Sequence, residues 1–279
     1  MELWLMGGIV ILLSLWLFFK RKQFVWQSFG PFYFAMYPTK FGIKFMRKTA
    51  LKYNKILYWI GTIGISIGYI GMAVVTEELI RGVYTLFTNP QITVGLVLPI
   101  KAKGVFYVPF LYWILSLIIV MIVHEGAHGI IALVHKIKIK KTGIAFLGII
   151  IPIIPAAFVE PDEKKLNKSS NLIKLSVYSA GPFANIVLGF ILLLVYLYVP
   201  FGNNFILIWI KDLIYWVSLL NVGVGLFNLI PLGPIDGGRM FQIALEKLMQ
   251  PRKATKIWKA VSYGLLAIVV GNILFALFL

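Results

Sequence analysis

The sequence predicts an all-α polytopic membrane protein with about six transmembrane helices, and three observations predict this class. Hydrophobic residues make up 60% of the 279-residue chain, charged residues only 13%, and the mean hydropathy is +0.89. The apolar residues form stretches of roughly 20, which is the length that crosses a hydrocarbon core. Basic residues are concentrated between alternate stretches. This composition excludes a soluble globular domain, and the absence of cysteine excludes disulfides, Cys-based zinc sites and thiol nucleophiles.

The predicted spans follow from these apolar stretches, because a chain in lipid must satisfy its backbone hydrogen bonds internally. The first span ends at the basic run Lys20-Arg21-Lys22 and has neither a basic leader nor a small-residue cleavage site. We therefore expect it to be an anchor and not a signal peptide. The six predicted spans cover residues 3–19, 56–75, 105–134, 172–199, 205–230 and 258–279.

The basic residues predict how the chain is oriented in a cell membrane. Of the 27 Lys and Arg residues, 23 lie in segments 20–55, 135–174 and 239–259. The positive-inside rule puts these three alternate segments in the cytoplasm and both termini outside. The net charge of +17 is thus a topology signal and an attraction to the lipid bilayer. It does not predict nucleic-acid binding, since no such motif accompanies it.

Two segments do not read as simple spans. Residues 143–159 are apolar but contain Pro152 and Pro155, and a full crossing would spoil the alternation of basic loops. A re-entrant loop or short β-hairpin is the better prediction, next to the end of the third predicted span. Residues 76–104, with two prolines, predict an external loop with short amphipathic pieces, in which Glu77, Glu78 and Arg81 form an ion pair.

An H-E-x-x-H element lies in the second half of the third predicted span, at residues 124–128. Residues four apart share one face of a helix, so His124 and His128 can hold one Zn²⁺. Glu125, one position further along, then lies beside the open position of the metal. The element is typical of metallohydrolases and is unusual inside an apolar span.

A catalytic zinc site normally takes a third protein ligand. His135 follows His128 by seven residues, which on a continuous helix places it roughly 10 Å further along, too far for the same ion. Among the few acidic residues, Asp236 follows two prolines and precedes Gly237 and Gly238, which let the chain turn tightly. An Asp on such a turn can point inward to a metal. The same residues also fit an ordinary surface turn.

The combination of H-E-x-x-H at 124–128 with N-x-x-P-x-x-x-x-D-G at 228–237 resembles the site-2 protease family of intramembrane zinc metalloproteases, the M50-like peptidases. A third element, S-A-G-P-F-A-N at 179–185, is similar to the G-P-x-x-N element of that family. The three motifs occur in the family's order over residues 112–239, and no segment is long and polar enough for a PDZ or CBS domain.

The resemblance implies particular roles for these residues. The family's metal ligands fall on His124, His128 and Asp236, which hold one Zn²⁺ per chain, and its general base falls on Glu125. Asn228 is expected to donate its amide to the developing oxyanion or to the substrate backbone, although a bond between helices also suits a buried Asn. Gly181, Pro182 and Asn185 are either part of the function or structural support.

We therefore expect a zinc metalloendopeptidase that hydrolyses a peptide bond within or near the transmembrane helix of a membrane-protein substrate. The active site is expected toward the cytoplasmic side, and residues 143–155 are expected to offer a strand edge to the unwound substrate. Residues 1–279 are predicted to form one membrane-embedded domain with a three-helix catalytic core at 105–239 and peripheral spans and loops at 1–104 and 240–279. The alternative is a transporter or channel that uses the same His/Asp cluster to bind a transported metal ion.

Overall fold

The computed structural model of the protein describes residues 2–29, 32–88, 95–148 and 154–278. Most of this chain is helical, with two small sheets. The helices are α1 Glu2–Lys20, α2 Ile43–Lys52, α3 Asn54–Thr88, α4 Phe110–Val134, α5 Glu163–Asn167, α6 Asn171–Tyr198, α7 Phe205–Asn228, α8 Asp236–Leu248 and α9 Pro251–Phe278. The strands are β1 Val25–Phe29, β2 Phe32–Thr39, β3 Leu96–Leu98, β4 Val105–Tyr107, β5 Ile139–Gly148 and β6 Ile154–Pro161.

Five helices of the described chain, α3, α4, α6, α7 and α9, are long and apolar enough to cross a membrane. They coincide with five of the six predicted spans, so the prediction of an all-α polytopic membrane protein is confirmed. The first predicted span forms α1, which is not one of these five.

The prediction for residues 76–104 was wrong in its first half, because α3 continues without a break to Thr88. The polar residues there are satisfied on the helix itself. Thr76 donates its hydroxyl hydrogen bond to the carbonyl of Met72, and Arg81 lies 2.8 Å from Glu77 and 3.3 Å from Glu78. The expected ion pair is therefore present, but at helical spacing on α3 and not in a loop.

The third span also starts later than predicted. Residues 105–107 form β4, which pairs in parallel with β3, and α4 begins at Phe110. Pro109 precedes this first helical residue and lacks the backbone donor that a continuing helix would need.

Residues 143–148 and 154–159 lie in the antiparallel pair β5 and β6, which fits a β-hairpin, one of the two expected forms of this segment. Residues 149–153, including Ile150 and Ile151, lie outside the described residues. Sequence reasoning missed β1 and β2, which extend this hairpin into a four-stranded sheet of order β1–β2–β5–β6. Because β2 comes from segment 20–55 and β5 from segment 135–174, the sheet holds these two basic segments together.

Small residues bring α6 and α7 into close contact. A Cβ on Gly189 would lie 2.6 Å from Val222, and one on Gly225 would lie 2.8 Å from Ile186. The Ser218 hydroxyl also donates to the carbonyl of Gly189 at 2.8 Å. Close approach of this kind is how helices associate in lipid. Helix α4 packs against both of them, so α4, α6 and α7 form a three-helix bundle.

Helix α8 is an amphipathic helix that follows the end of α7. Its backbone is fixed by two side chains from neighbouring spans. Tyr69 of α3 donates to the carbonyl of Met240 at 3.1 Å, and Trp258 of α9 donates to the carbonyl of Gly238 at 2.8 Å. Met240 itself is fully buried. These anchors fix the first turn of α8 against the bundle, and that turn carries Asp236.

Candidate metal centre

Two histidines of α4 and one carboxylate of α8 converge at one point. His124 and His128 lie one turn apart, with ring centroids separated by 4.7 Å. The Nε2 atom of His124 is 3.1 Å from Asp236 Oδ2, and the Nε2 atom of His128 is 3.3 Å from the same oxygen. One ligand atom from each residue lies within 4.8 Å of the other two. The structure thus brings together all three residues that were predicted to bind the metal.

Asp236 reaches this point by a route that differs in detail from the expected one. It is the first residue of α8, and the turn that precedes it has its left-handed residue at Gly233, where φ is +43°. The Gly233 amide donates to the hydroxyl of Ser262 at 2.9 Å. The prediction that Gly237 and Gly238 form this turn was wrong, because both lie within α8. A Cβ on Gly237 would collide with the carbonyl of Leu229, so this glycine serves close packing.

The charge state of Asp236 suits a metal ligand. Burial raises the pKa of its carboxyl, but the neighbouring imidazoles of His128 and His124 outweigh burial and lower that pKa to about 2. The side chain therefore stays ionised and accepts hydrogen bonds at ordinary pH.

One face of α6 lies behind the two histidines. Val177, Gly181 and Asn185 are spaced four apart, so they form a stripe along that face. The carbonyl of Val177 lies 2.6 Å from His128 Nδ1, and the amide nitrogen of Asn185 lies 3.2 Å from His124 Nδ1. Between them a Cβ on Gly181 would come within 2.8 Å of the His124 ring and closer still to His128. Gly181 and Asn185 therefore contact the histidines directly.

Glu125 is held from the opposite side, by the sheet. Its Oε2 accepts a hydrogen bond of 2.9 Å from the backbone N–H of Val159 in β6. The residue lines the same cavity as the three clustered residues, and this cavity has a volume of about 430 Å³. The base predicted from sequence thus lies beside the cluster and lines this cavity.

Asn228 lines this cavity as well, as the last residue of α7. Its side-chain amide donates to the carbonyl of Val224, one turn back, at 2.9 Å. The structure places Asn228 next to the cluster, and its predicted role toward a substrate oxyanion stays a prediction.

His135 lies apart from the cluster, as its spacing predicted. It ends α4 and packs edge-on against the Tyr58 ring at a centroid distance of 5.6 Å. Burial lowers the pKa of its imidazole. His135 is accordingly a neutral packing residue at the end of the helix.

Sequence reasoning missed the backbone groups that contact the site. The Val177 carbonyl and the Val159 amide belong to apolar residues, and no side-chain motif identifies them. The only available signal was the G-P-x-x-N spacing, which puts Gly181 and Asn185 on one helical face.

The residues present fit a zinc ion. Two imidazoles and one carboxylate are the donor set of many catalytic zinc sites, which keep the fourth position for water or substrate. The Val177 carbonyl can only accept, so His128 carries a hydrogen on Nδ1, and a metal would take the place of the Nε2 hydrogen that faces Asp236.

Comparison with known proteins gives an independent result. The family model of peptidase family M50 matches residues 112–206 and 203–270, which include every residue of the candidate metal centre. The sequence is similar to zinc metalloprotease MJ0392 of Methanocaldococcus jannaschii, with 31% identity over 150 residues, 53% of this chain and 39% of the relative.

Two further relatives match over longer segments. Putative zinc metalloprotease YwhC of Bacillus subtilis is 31% identical over 178 residues, covering 57% of this chain and 78% of the relative. Uncharacterized protein MJ0971 of M. jannaschii is 30% identical over 191 residues, covering 64% of this chain and 48% of the relative. The matches to the two M. jannaschii proteins thus span less than half of those relatives' length.

Proposed function

The chain belongs to peptidase family M50, and from this premise we propose that it is an intramembrane zinc metalloprotease of the site-2 type. We propose that it hydrolyses a peptide bond within or near the transmembrane helix of a membrane-protein substrate. One observation carries the proposal. The Nε2 atoms of His124 and His128 converge on Asp236, and Glu125 opens into the same cavity, within a bundle of membrane-spanning helices.

In this proposal His124, His128 and Asp236 hold one Zn²⁺ per chain. When bound, zinc lowers the pKa of a water molecule toward 7 and polarises the scissile carbonyl. The ionised Asp236 carboxylate balances part of the charge of the ion. The Val177 carbonyl orients the His128 ring, as outer partners of zinc ligands commonly do.

Glu125 is proposed as the general base. Its carboxylate lies one residue from a ligand histidine and is oriented by the Val159 amide through Oε2. The second carboxylate oxygen then takes a proton from the attacking water and passes it to the leaving amide nitrogen. Asn228 would assist by releasing the Val224 carbonyl and turning its amide toward the developing oxyanion.

A helical substrate has to unwind before cleavage, because its carbonyls are hydrogen-bonded within the helix. Of the expected strand edge at residues 143–155, the part in β5 is paired on both sides, with β2 and β6, and offers no free edge. The position of β6 supports binding of the unwound segment there as an added strand. In the described sheet β6 is one of the two edge strands, and its Val159 N–H points away from β5 toward Glu125. Since backbone groups alternate along a strand, Ala157 N–H faces the same edge. Pro155 and Pro161 hold the other two positions on this edge and offer no donor.

The sheet also supports the proposed orientation. It joins two of the three basic segments, and Arg239 of the third segment lines the same cavity as Glu163 of the second. All three segments thus belong to one side of the bundle. By the positive-inside rule we propose that this side is cytoplasmic, with the active site toward it and the C-terminus outside. The expected outside position of the N-terminus requires that α1 crosses the membrane as well.

The test is co-expression with a panel of single-span membrane proteins, in matched pairs that differ by helix-weakening Gly, Asn or Pro residues in the span. Fragments are identified by mass spectrometry for the wild type and for Glu125→Gln. We expect cleavage within or near the span, faster for the weakened member of each pair and absent with Glu125→Gln. Zinc flux in proteoliposomes without any Glu125-dependent fragment would instead support a transporter.

A further inference from the structure

Asn185 differs from the other buried polar residues of the bundle in what it contacts. It is fully buried on α6, and its Nδ2 atom lies 3.2 Å from His124 Nδ1. Its Oδ1 atom has no hydrogen-bond partner among the described residues. A buried amide with an unpaired oxygen next to a proposed metal ligand calls for an explanation, because such groups are costly in a helical bundle.

The explanation lies in the tautomer of His124. Its Nε2 atom is the one that faces Asp236 Oδ2, at 3.1 Å, and can bind a metal only through a free lone pair. The ring hydrogen must then be on Nδ1, which becomes a donor and requires an acceptor. The Asn185 amide nitrogen is itself a donor, so in that tautomer two donors would face each other across 3.2 Å.

A half-turn of the Asn185 amide removes this conflict. Oxygen and nitrogen of the amide exchange places, Oδ1 meets Nδ1–H, and the unpaired buried group changes from the oxygen to the nitrogen. The number of unpaired groups stays the same, so metal ligation by His124 decides which orientation is stable.

We propose that Asn185 is a positioning residue that accepts a hydrogen bond from His124 Nδ1 through Oδ1 when zinc is bound, and thereby sets the tautomer that leaves Nε2 free. This inference rests on the proposed zinc site. The two histidines then differ, because the Val177 carbonyl accepts permanently from His128 whereas the Asn185 amide suits either tautomer of His124. His124 is thus the proposed ligand whose metal-binding tautomer depends on a neighbouring side chain, that of Asn185.

Two substitutions separate this role from simple packing. Asn185→Leu keeps the size of the side chain but removes the acceptor, and we expect zinc affinity to fall roughly 10- to 100-fold, as for other outer partners of zinc ligands. In Asn185→Asp the ionised carboxylate can only accept hydrogen bonds. We therefore expect this variant to bind zinc with the wild-type affinity or more tightly. If Asn185 acted as a donor to Nδ1, Asp would be as harmful as Leu.

Asn221 provides the matched control. It is also fully buried, its amide donates to the carbonyl of Val217 at 2.8 Å, and its Oδ1 is likewise unpaired within the described chain. Asn221→Leu therefore removes a similar buried amide that contacts no histidine. We expect its zinc affinity to equal that of the wild type.

The measurement is competition for zinc with a chromogenic chelator, on purified full-length protein in detergent at fixed pH. Nitrogen-15 spectra of histidine-labelled protein report the tautomers, and the three histidines of the chain keep these spectra simple. We expect His124 to carry its hydrogen on Nδ1 in the zinc-loaded wild type, and at the same free zinc concentration a smaller fraction of Asn185→Leu to carry it there.

The outcomes distinguish this inference from the proposed function. A wild type that binds no zinc would overturn the zinc site itself. A wild type that binds zinc, with equal affinity in Asn185→Leu or a loss in Asn185→Asp as large as that in Asn185→Leu, would overturn only the role of Asn185. Each variant is checked for monodispersity and thermal unfolding, so that a misfolded protein is recognised. Should Asn185→Leu misfold, the zinc affinity of Asn185→Asp still decides the question, because a value at or above that of the wild type is expected only if residue 185 acts as an acceptor.

Discussion

The helical bundle and the β-sheet hold different halves of the proposed site. The bundle fixes the three ligand residues, through the anchored first turn of α8 and the stripe of α6 behind the histidines. The sheet holds Glu125 through a single hydrogen bond from β6. Glu125 follows His124 directly in sequence, yet the two side chains are supported by separate structures. Metal binding and proton transfer should therefore be separable by mutation.

The largest effect is expected from removing the ligand that joins α8 to α4. In Asp236→Ala the two histidines lose their shared partner, and we expect zinc to fall from about one ion per chain to a small fraction of that. Cleavage is expected to be lost with it. Metal content by mass spectrometry and fragment assays measure both.

Asp212→Ala is the control for that variant, because Asp212 lies on α7 near Tyr112 and contacts no residue of the cluster. It should keep zinc and activity. Retention of zinc in Asp236→Ala would mean that Asp236 is not one of the metal ligands that the bundle fixes.

The second prediction separates the two halves directly. In Glu125→Gln the side chain keeps its shape and an oxygen that accepts from Val159, but it has no carboxylate to take a proton. We expect the cleavage rate to fall by roughly 10²- to 10⁴-fold while zinc content stays unchanged.

Glu77→Gln, which changes an exposed acid on α3, provides its control and should leave the cleavage rate as in the wild type. Loss of zinc in Glu125→Gln would contradict this prediction, because metal binding and proton transfer would then not be separable by mutation.

The same division explains how far the sequence leads. The spans and the ligand residues are predictable, because hydropathy marks the spans and because His124, His128 and Asp236 carry side chains of known chemistry. The sheet is harder to predict, because Tyr33 of β2 pairs with Gly148 of β5, more than a hundred residues away in the sequence. In addition, β1 and β2 lie in segment 20–55, whose basic residues predict a loop. The role of a glycine is also hard to predict. Gly237 was expected in a turn, but it lies in a helix that packs closely against Leu229.

A smaller effect is expected within the bundle, from the space between the histidine rings and α6. In Gly181→Ala the added Cβ would meet both rings, and overpacking of this kind costs about 1–3 kcal/mol. If the strain is relieved by moving the rings, zinc affinity falls by roughly 5- to 150-fold.

A substitution of the same kind on α7 is the control. A Cβ on Gly223 would meet nothing within 4 Å, so Gly223→Ala should leave zinc affinity unchanged. Equal affinities in Gly181→Ala and the wild type would show that α6 does not position the histidines.

The smallest effect tests the sheet as a place where substrate binds. Ala157→Pro removes one N–H from the free edge of β6 and leaves the bonds to β5 in place, because proline is tolerated where its nitrogen faces outward. A lost backbone hydrogen bond is worth about 0.5–1.5 kcal/mol, so we expect kcat/KM for a transmembrane substrate to fall roughly 2- to 12-fold. Ala157→Val, which keeps the N–H, should behave as wild type, and zinc content should be the same in both.

Because Glu125 is held at the next outward position of the same strand, at Val159, a fall in kcat/KM with Ala157→Pro alone would tie substrate binding and proton transfer to one edge. Equal values for the two variants would leave β6 with the single task of holding Glu125.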